Sequence, residues 1–410
     1  MQHHHNYILS NILLEVGFEY DDLGEVLATK TRTAALHIKE GKIVGIYFDA
    51  LPETLRVLQH IDGQGYLALP GIQDAHIHLD KTYYGGTWQA AEQDKSVAEM
   101  IAMEKQLLPR QLPVVEQRAQ AILDLIISKG AVKTLAHCNV DHSIGVEHFL
   151  KTQQVLQQYR SRICGQIVAF PQHGLYRDNT VALMQQVLQL GCDYVGGIDP
   201  QTLDGDRQKS LETTFQLALD YKVGIDLHLH ERGEVGKRTL KLIFKLIEEN
   251  PQLQNKFHLS HGFALYDIAQ DGELEEYAEQ MKQFGIALIS GVPIQFRMPL
   301  AELHQLGVKV QVGTDSVMDH WYPFGQGDII ERSNVIAQLY GWKNEYLLSR
   351  ALYFATGILP LDQYGERQWP QLQDAADIML VQASCSAEAI ARVSMRKMTI
   401  YRGQVTYQDK

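Results

Sequence analysis

Leu69-Pro70-Gly71-Ile72-Gln73-Asp74-Ala75-His76-Ile77-His78-Leu79-Asp80-Lys81 is the stretch on which the reading of this chain turns. It overlaps the apolar run Tyr66 to Ile77, and alternate residues of a strand point the same way, so His76 and His78 can share one metal ion. Taken alone, the pair equally suits two polar histidines at a strand end. Seven more short runs follow: Val132 to His137, Gln166 to Phe170, Tyr194 to Ile198, Val223 to Leu229, Phe257 to Ser260, Ile286 to Ser290 and Val308 to Val312. Between them lie amphipathic segments such as Leu183 to Leu190 and Leu211 to Tyr221. This alternation predicts an α/β chain folded as a parallel (β/α)8 TIM barrel. A doubly wound sheet is the competitor, but no GxGxxG follows the first strand and no GxxxxGK[ST] occurs.

Polar residues gather where the runs end. The fifth run closes on His228-Leu229-His230-Glu231, the sixth on Ser260-His261-Gly262 and the eighth on Gly313-Thr314-Asp315. That end of the strands is where barrel enzymes build their sites. Scattered surface histidines would not keep such a register, so the joint pattern points to a metal centre.

Outside the barrel, Ala34 to Ile38 and Ile43 to Tyr47 read as strands joined at Glu40-Gly41, and Asp377 to Val381 and Met398 to Tyr407 read likewise. Both chain ends are therefore expected to form one small β-sandwich. The division is residues 1–68 for its N-terminal part, 69–368 for the barrel and 369–410 for its C-terminal part.

Bulk composition narrows the partners. The chain has 410 residues, 45% hydrophobic and 21% charged, with a formal charge of −12. No long basic run could follow a phosphate backbone, so nucleic acid is not an expected partner. Cys138, Cys164, Cys192 and Cys385 are scattered, without CxxC or framework spacing, as reduced thiols would be. No signal peptide or membrane-length apolar run is read, so a cytoplasmic protein is expected.

The run from Leu69-Pro70-Gly71 to His78-Leu79-Asp80, with His228, His261 and Asp315, resembles the amidohydrolase superfamily. Val168-Ala169-Phe170-Pro171-Gln172-His173-Gly174 and Asp319-His320-Trp321-Tyr322-Pro323-Phe324-Gly325 resemble its bacterial cytosine deaminase branch more narrowly. The likeness runs from about Leu69 to Val405. It implies a deaminase-type hydrolase acting on carbon–nitrogen bonds other than peptide bonds, in which a metal-activated water attacks a small nitrogen heterocycle.

Carried over residue by residue, the resemblance implies that His76, His78, His228 and Asp315 hold one divalent ion, zinc or iron(II). The fourth strand ends Gly197-Ile198-Asp199-Pro200 and supplies no bridging lysine, so one ion per chain is expected. Glu231 would move protons, Asp315 would assist in deprotonating water, and His261 would hydrogen-bond the water or the tetrahedral centre. Gln172 would read a lactam edge, Trp321 would wall the ring, and Ser316 and Lys81 would lie near the substrate. His137 is expected to be a supporting residue. Ser316 replaces an acid of the cytosine deaminases, and Lys81 replaces a threonine. HxHLDK also occurs in the N-isopropylammelide isopropylaminohydrolase branch, so aminotriazines stand beside cytosine as candidates, and a homo-oligomer is implied. Cyclic amide or N-alkylamine hydrolysis is the nearest alternative. A non-catalytic barrel would usually have lost ligands, and the zinc nucleoside deaminase fold needs a PCxxC that is absent.

Overall fold

The computed structural model describes residues 6–91 and 97–409, which form two sheets. One is built from both chain ends: β1 (Asn6–Tyr20), β2 (Val26–Lys39), β3 (Lys42–Tyr47) and β4 (Gln59–Pro70). The other contains eight strands: β5 (Ile72–Ile77), β6 (Ala131–Asn139), β7 (Cys164–Phe170), β8 (Tyr194–Ile198), β9 (Gly224–His228), β10 (Phe257–Ser260), β11 (Ala287–Ser290) and β12 (Val310–Val312). After it come β13 (Ile378–Val381), β14 (Arg396–Tyr401) and β15 (Gln404–Gln408), which complete the first sheet in the order β15-β14-β13-β4-β1-β2-β3.

The eight strands are parallel and follow chain order, with at least one helix between each consecutive pair. A parallel bridge from Ile77 to Asp315 brings the last strand back to the first. The expected TIM barrel is the fold observed. The run Tyr66 to Ile77, however, does not enter it as one strand. Tyr66 to Pro70 lies in β4, where Leu69 pairs with Met379, and only Ile72 onward enters the barrel. Gly71 makes the break, and a Cβ there would stand 2.6 Å from the Val132 side chain. The two sheets are thus joined within one extended stretch of chain, which periodicity alone cannot divide.

Helix Gly233–Glu249 shows why the intervening segments coil: Leu240, Ile243, Phe244 and Ile247 fall on one buried face at helical spacing. Asp206 caps helix Arg207–Tyr221 by accepting from the Lys209 amide, and Asp328 caps helix Ile329–Leu339 by accepting from that of Ile330. The main apolar core lies between barrel and helices, including Ile122, Ile126, Leu227, Ile243 and Leu288; a second beneath the first sheet gathers Leu9, Leu36, Ile378 and Ile400. Among the described residues no helix is long and apolar enough to cross a membrane.

Barrel closure depends on Gly313. A Cβ there would lie 2.4 Å from the His76 Cβ, 2.5 Å from its carbonyl oxygen and 2.7 Å from its amide nitrogen. Backbone cannot move aside as a flexible side chain can. Gly313→Ala should therefore destabilise the protein by about 3 kcal/mol or more, at the upper end of overpacking costs. Urea unfolding checks this, and a loss under about 0.5 kcal/mol would show that closure tolerates the methyl group.

Candidate active site

At the C-terminal end of the barrel, β5 delivers His76 and is followed by His78, β9 delivers His228, β10 is followed by His261 and β12 by Asp315. The Asp315 amide donates to the His76 carbonyl at 2.7 Å, so the same contact that closes the barrel lands the Asp315 carboxylate among the histidines. Its Oδ1 lies 3.3 Å from His78 Nε2 and 3.6 Å from His76 Nε2, and its Oδ2 lies 4.0 Å from His261 Nε2. The ligand atoms of His76, His78 and His228 all lie within 4.8 Å of one another. Both Asp315 and His261 have left-handed φ, at 59° and 67°, a conformation L-residues keep only when their surroundings impose it.

These residues fit a metal ion. His76 Nε2, His78 Nδ1 and both ring nitrogens of His228 are buried without a hydrogen-bond partner among the described residues. Such orphaned groups are costly in a dry interior unless something binds them. Burial lowers the His76 pKa to about 4 and holds His228 and His261 well below the usual histidine range, leaving the neutral imidazoles that metals bind. Burial works against ionising Asp315, yet the hydrogen bond from His78 and the nearby His76 and His261 keep it well below the usual carboxylate range.

A supporting chain fixes His76. Ser260 Oγ donates to Asp226 Oδ1 at 2.6 Å and lies 2.9 Å from His76 Nδ1. Because the serine proton goes to a carboxylate, its oxygen accepts from His76 Nδ1–H, which points the Nε2 lone pair at the cluster. His137 stacks on His76 with centroids 3.7 Å apart, and its Nε2 lies 3.7 Å from Asp226 Oδ2. Asp226 and His228 are two apart on β9, and that spacing was a readable signal for the supporting carboxylate.

The structure does not bring Glu231 into the cavity. Its Oε1 accepts from the amides of Gln201 and Thr202, each at 2.8 Å, and its Oε2 accepts from Thr239 Oγ1 at 2.7 Å. The neighbouring His230 faces the cavity instead. Its Nδ1 lies 2.9 Å from Asp199 Oδ2, its ring centroid is 4.3 Å from that of His261, and Nε2 is left for the cavity. Burial would lower the His230 pKa, but the hydrogen bond and charge of Asp199 outweigh it and raise it.

Lys81, Gln172 and Trp321 are brought together through Glu104, a residue of helix Val97–Gln111 that sequence reasoning missed. The buried Lys81 ammonium lies 3.2 Å from Glu104 Oε1 and 3.0 Å from Gln172 Oε1. Asn139 Nδ2 and Trp321 Nε1 donate to the same Glu104 oxygen at 3.3 and 3.4 Å, and His320 Nε2 lies 3.2 Å from it. Burial opposes both charges, but Lys81 and Glu104 shift each other outward: the lysine is raised and the glutamate is held well below its usual range. Lys81 can only donate, so the Gln172 carbonyl is engaged and its Nε2 donors remain. The Gln172 oxygen keeps a second lone pair, so its donor-and-acceptor pattern is not exhausted by Lys81.

Trp321 and Ser316 line a cavity of about 530 Å³ together with His230, His261, Asp315 and an apolar wall containing Val292, Pro293 and Phe296. Lys81 and Gln172 do not line it. A more open groove of about 800 Å³, between helix Glu147–Tyr159 and Tyr401-Arg402, contains no histidine and lies away from this cluster.

The amidohydrolase family pattern matches residues 59–407. The chain belongs to the amidohydrolase family. YahJ, an uncharacterized protein of Escherichia coli strain K12, is 44% identical over 407 residues, covering 98% of this chain and 88% of that one. The crystal structure of N-isopropylammelide isopropylaminohydrolase from Burkholderia multivorans is 29% identical with a TM-score of 0.83, covering 98% of this chain and 97% of that one. A 5-methylcytosine deaminase from Klebsiella pneumoniae has a TM-score of 0.76 at 24% identity over 98% of each chain, a likeness of fold. Family membership makes this amidohydrolase a hydrolase acting on carbon–nitrogen bonds.

The Lys81–Glu104 pair makes a stability prediction. Glu104→Gln takes the nearest carboxylate from the buried Lys81 and leaves it only the charges of Asp319 and Asp80, and should cost about 3 kcal/mol. Lys81→Met combined with Glu104→Gln should recover much of that loss, which denaturant unfolding of the three variants measures. Equal losses in the single and double variants would show that the charges are not coupled.

Proposed function

We propose that this amidohydrolase removes ammonia or an alkylamine from a ring carbon of a small nitrogen heterocycle by hydrolysis. The observation that carries the reading is the buried His76, His78, His228 and Asp315 cluster, with its unpartnered nitrogens, beside a cavity walled by aromatic and apolar side chains. Those four residues would hold one divalent ion, zinc or iron. When bound, it supplies Lewis-acid polarisation and lowers the pKa of water towards ~7.

The chain's own residues supply the remaining chemistry. The Asp199–His230 pair fixes the imidazole, so Nε2 can take a proton from the attacking water and return it to the departing nitrogen. His261 hydrogen-bonds the attacking oxygen as the ring carbon becomes tetrahedral. One of the water's two protons goes to the ring nitrogen beside the attacked carbon and the other to the departing nitrogen, so that as the carbon–nitrogen bond breaks the amine leaves neutral and the oxygen becomes a ring carbonyl. Trp321 packs against the ring, Ser316 lies beside it, and Gln172 holds the tryptophan wall through Lys81 and Glu104. Glu231, held by three donors, ties the chain after β8 to helix Gly233–Glu249.

The likeness to N-isopropylammelide isopropylaminohydrolase supports an alkylamine as leaving group, and the apolar wall suits an alkyl substituent. Cytosine, isocytosine and N-alkylaminotriazines should be assayed with zinc- or iron-loaded enzyme, following free amine and product mass. Release of amine with the ring intact is expected. Ring-opened products would instead assign cyclic amide hydrolysis.

The proton carrier can be tested separately. His230→Gln should lower kcat by roughly 10²- to 10⁴-fold while metal content stays constant. Glu231→Gln should lower the unfolding midpoint and leave kcat within about tenfold. Loss of kcat at unchanged stability in Glu231→Gln would return the proton to the glutamate.

A further inference from the structure

Arg332 projects from helix Ile329–Leu339 into the wall of the same cavity. Its Nη2 donates to the Thr314 carbonyl at 3.3 Å, and its guanidinium carbon lies 5.8 Å from the Tyr322 ring centre. Among the described residues no carboxylate lies within 4.0 Å of it, although the chain carries a formal charge of −12. Only one of the five guanidinium N–H donors therefore has a side-chain or backbone acceptor here. The one carboxylate on the cavity wall, Asp315, is engaged with His76 and His78. The nearest negative charge it feels is the buried Asp74 carboxylate behind Thr314, which Thr314 itself engages, so the remaining guanidinium donors are left toward the cavity.

We propose that Arg332 recognises an anionic oxygen group on the substrate, either a carboxylate substituent or a ring oxygen that carries charge at neutral pH. The inference rests on the proposed hydrolysis at this cavity and adds the substrate class. A guanidinium fork presents two parallel donors to such a group and is less strongly hydrated than an ammonium, so it suits a partly dry wall. Ser316 and Tyr322 stand on the same wall, and neither hydroxyl makes a hydrogen bond within the described residues. They can complete the contact. An acid at position 316 would repel the same group, which gives the serine there a physical reason.

The test is binding, measured by calorimetry on the full-length protein as purified. The probes are orotate, a lactam ring bearing a carboxylate; barbiturate, whose ring itself ionises; and uracil, which is neutral. At least one anion should bind about tenfold or more tightly than uracil. Orotate alone would identify the carboxylate, barbiturate alone the ring oxygen, and both together the shared charge. Arg332→Gln keeps a donor for the Thr314 carbonyl but removes the charge, and should bring the anion-to-uracil ratio close to one. Arg332→Lys should retain part of it. Because each ratio is taken within one variant, a change in stability does not distort it. If neither anion outbinds uracil, or if the preference survives in Arg332→Gln, the assignment is wrong. That result leaves the proposed hydrolysis standing wherever amine is released from neutral rings, so the two readings fail separately.

Discussion

The hydrogen bond from the Asp315 amide to the His76 carbonyl is the contact on which the rest of the structure depends. It belongs to the fold and to the site together. It brings the chain after the last barrel strand onto the first, and it sets the Asp315 carboxylate within 3.3 to 3.6 Å of the His76 and His78 imidazoles. The approach is possible because Gly313 has no Cβ to strike the His76 backbone. The left-handed φ of Asp315 then turns its carboxylate toward the histidines. A site assembled by barrel closure cannot be lost piecemeal: loosening the seam moves two strands' ligands at once.

A polar barrel interior follows from that arrangement. Barrels are usually filled by branched apolar side chains, yet here His76, His137, Asp226 and Ser260 are buried together. Each buried polar group must find a partner or cost free energy, so the ligands are backed by carboxylates. Asp226 reaches His76 through Ser260, and Asp199 orients His230. Glu104 does the same beside the cavity, gathering Lys81, Asn139, His320 and Trp321 around one oxygen. The excess acid of the composition is in part this internal backing.

How much of this was legible follows from distance along the chain. The barrel was readable because strand alternation is local, and the cluster was readable because all its members close their strands at the same end. Within the run Tyr66 to Ile77 the boundary at Gly71 was not, since both halves are extended and apolar and only pairing with β13 separates them. The placement of His230 and Glu231 depends on which side chain turns inward after β9, and that is decided by Asp199, Thr239 and the Gln201 and Thr202 amides. Glu104 lies 23 residues from Lys81, on a helix that carried no motif. Arg332 sits on an ordinary amphipathic helix and gains meaning only from the cavity it faces. Gln172 was found by its motif, but its engagement by Lys81 needed coordinates.

On the proposed function, four strand-end residues hold one divalent ion. Elemental analysis of exhaustively dialysed protein, run beside His228→Ala and Asp315→Ala, tests it most directly. One equivalent of zinc or iron in the parent chain, sharply reduced in both variants while they remain folded, is the predicted result. Two equivalents in the parent chain, or full retention of the ion in either variant, would contradict it.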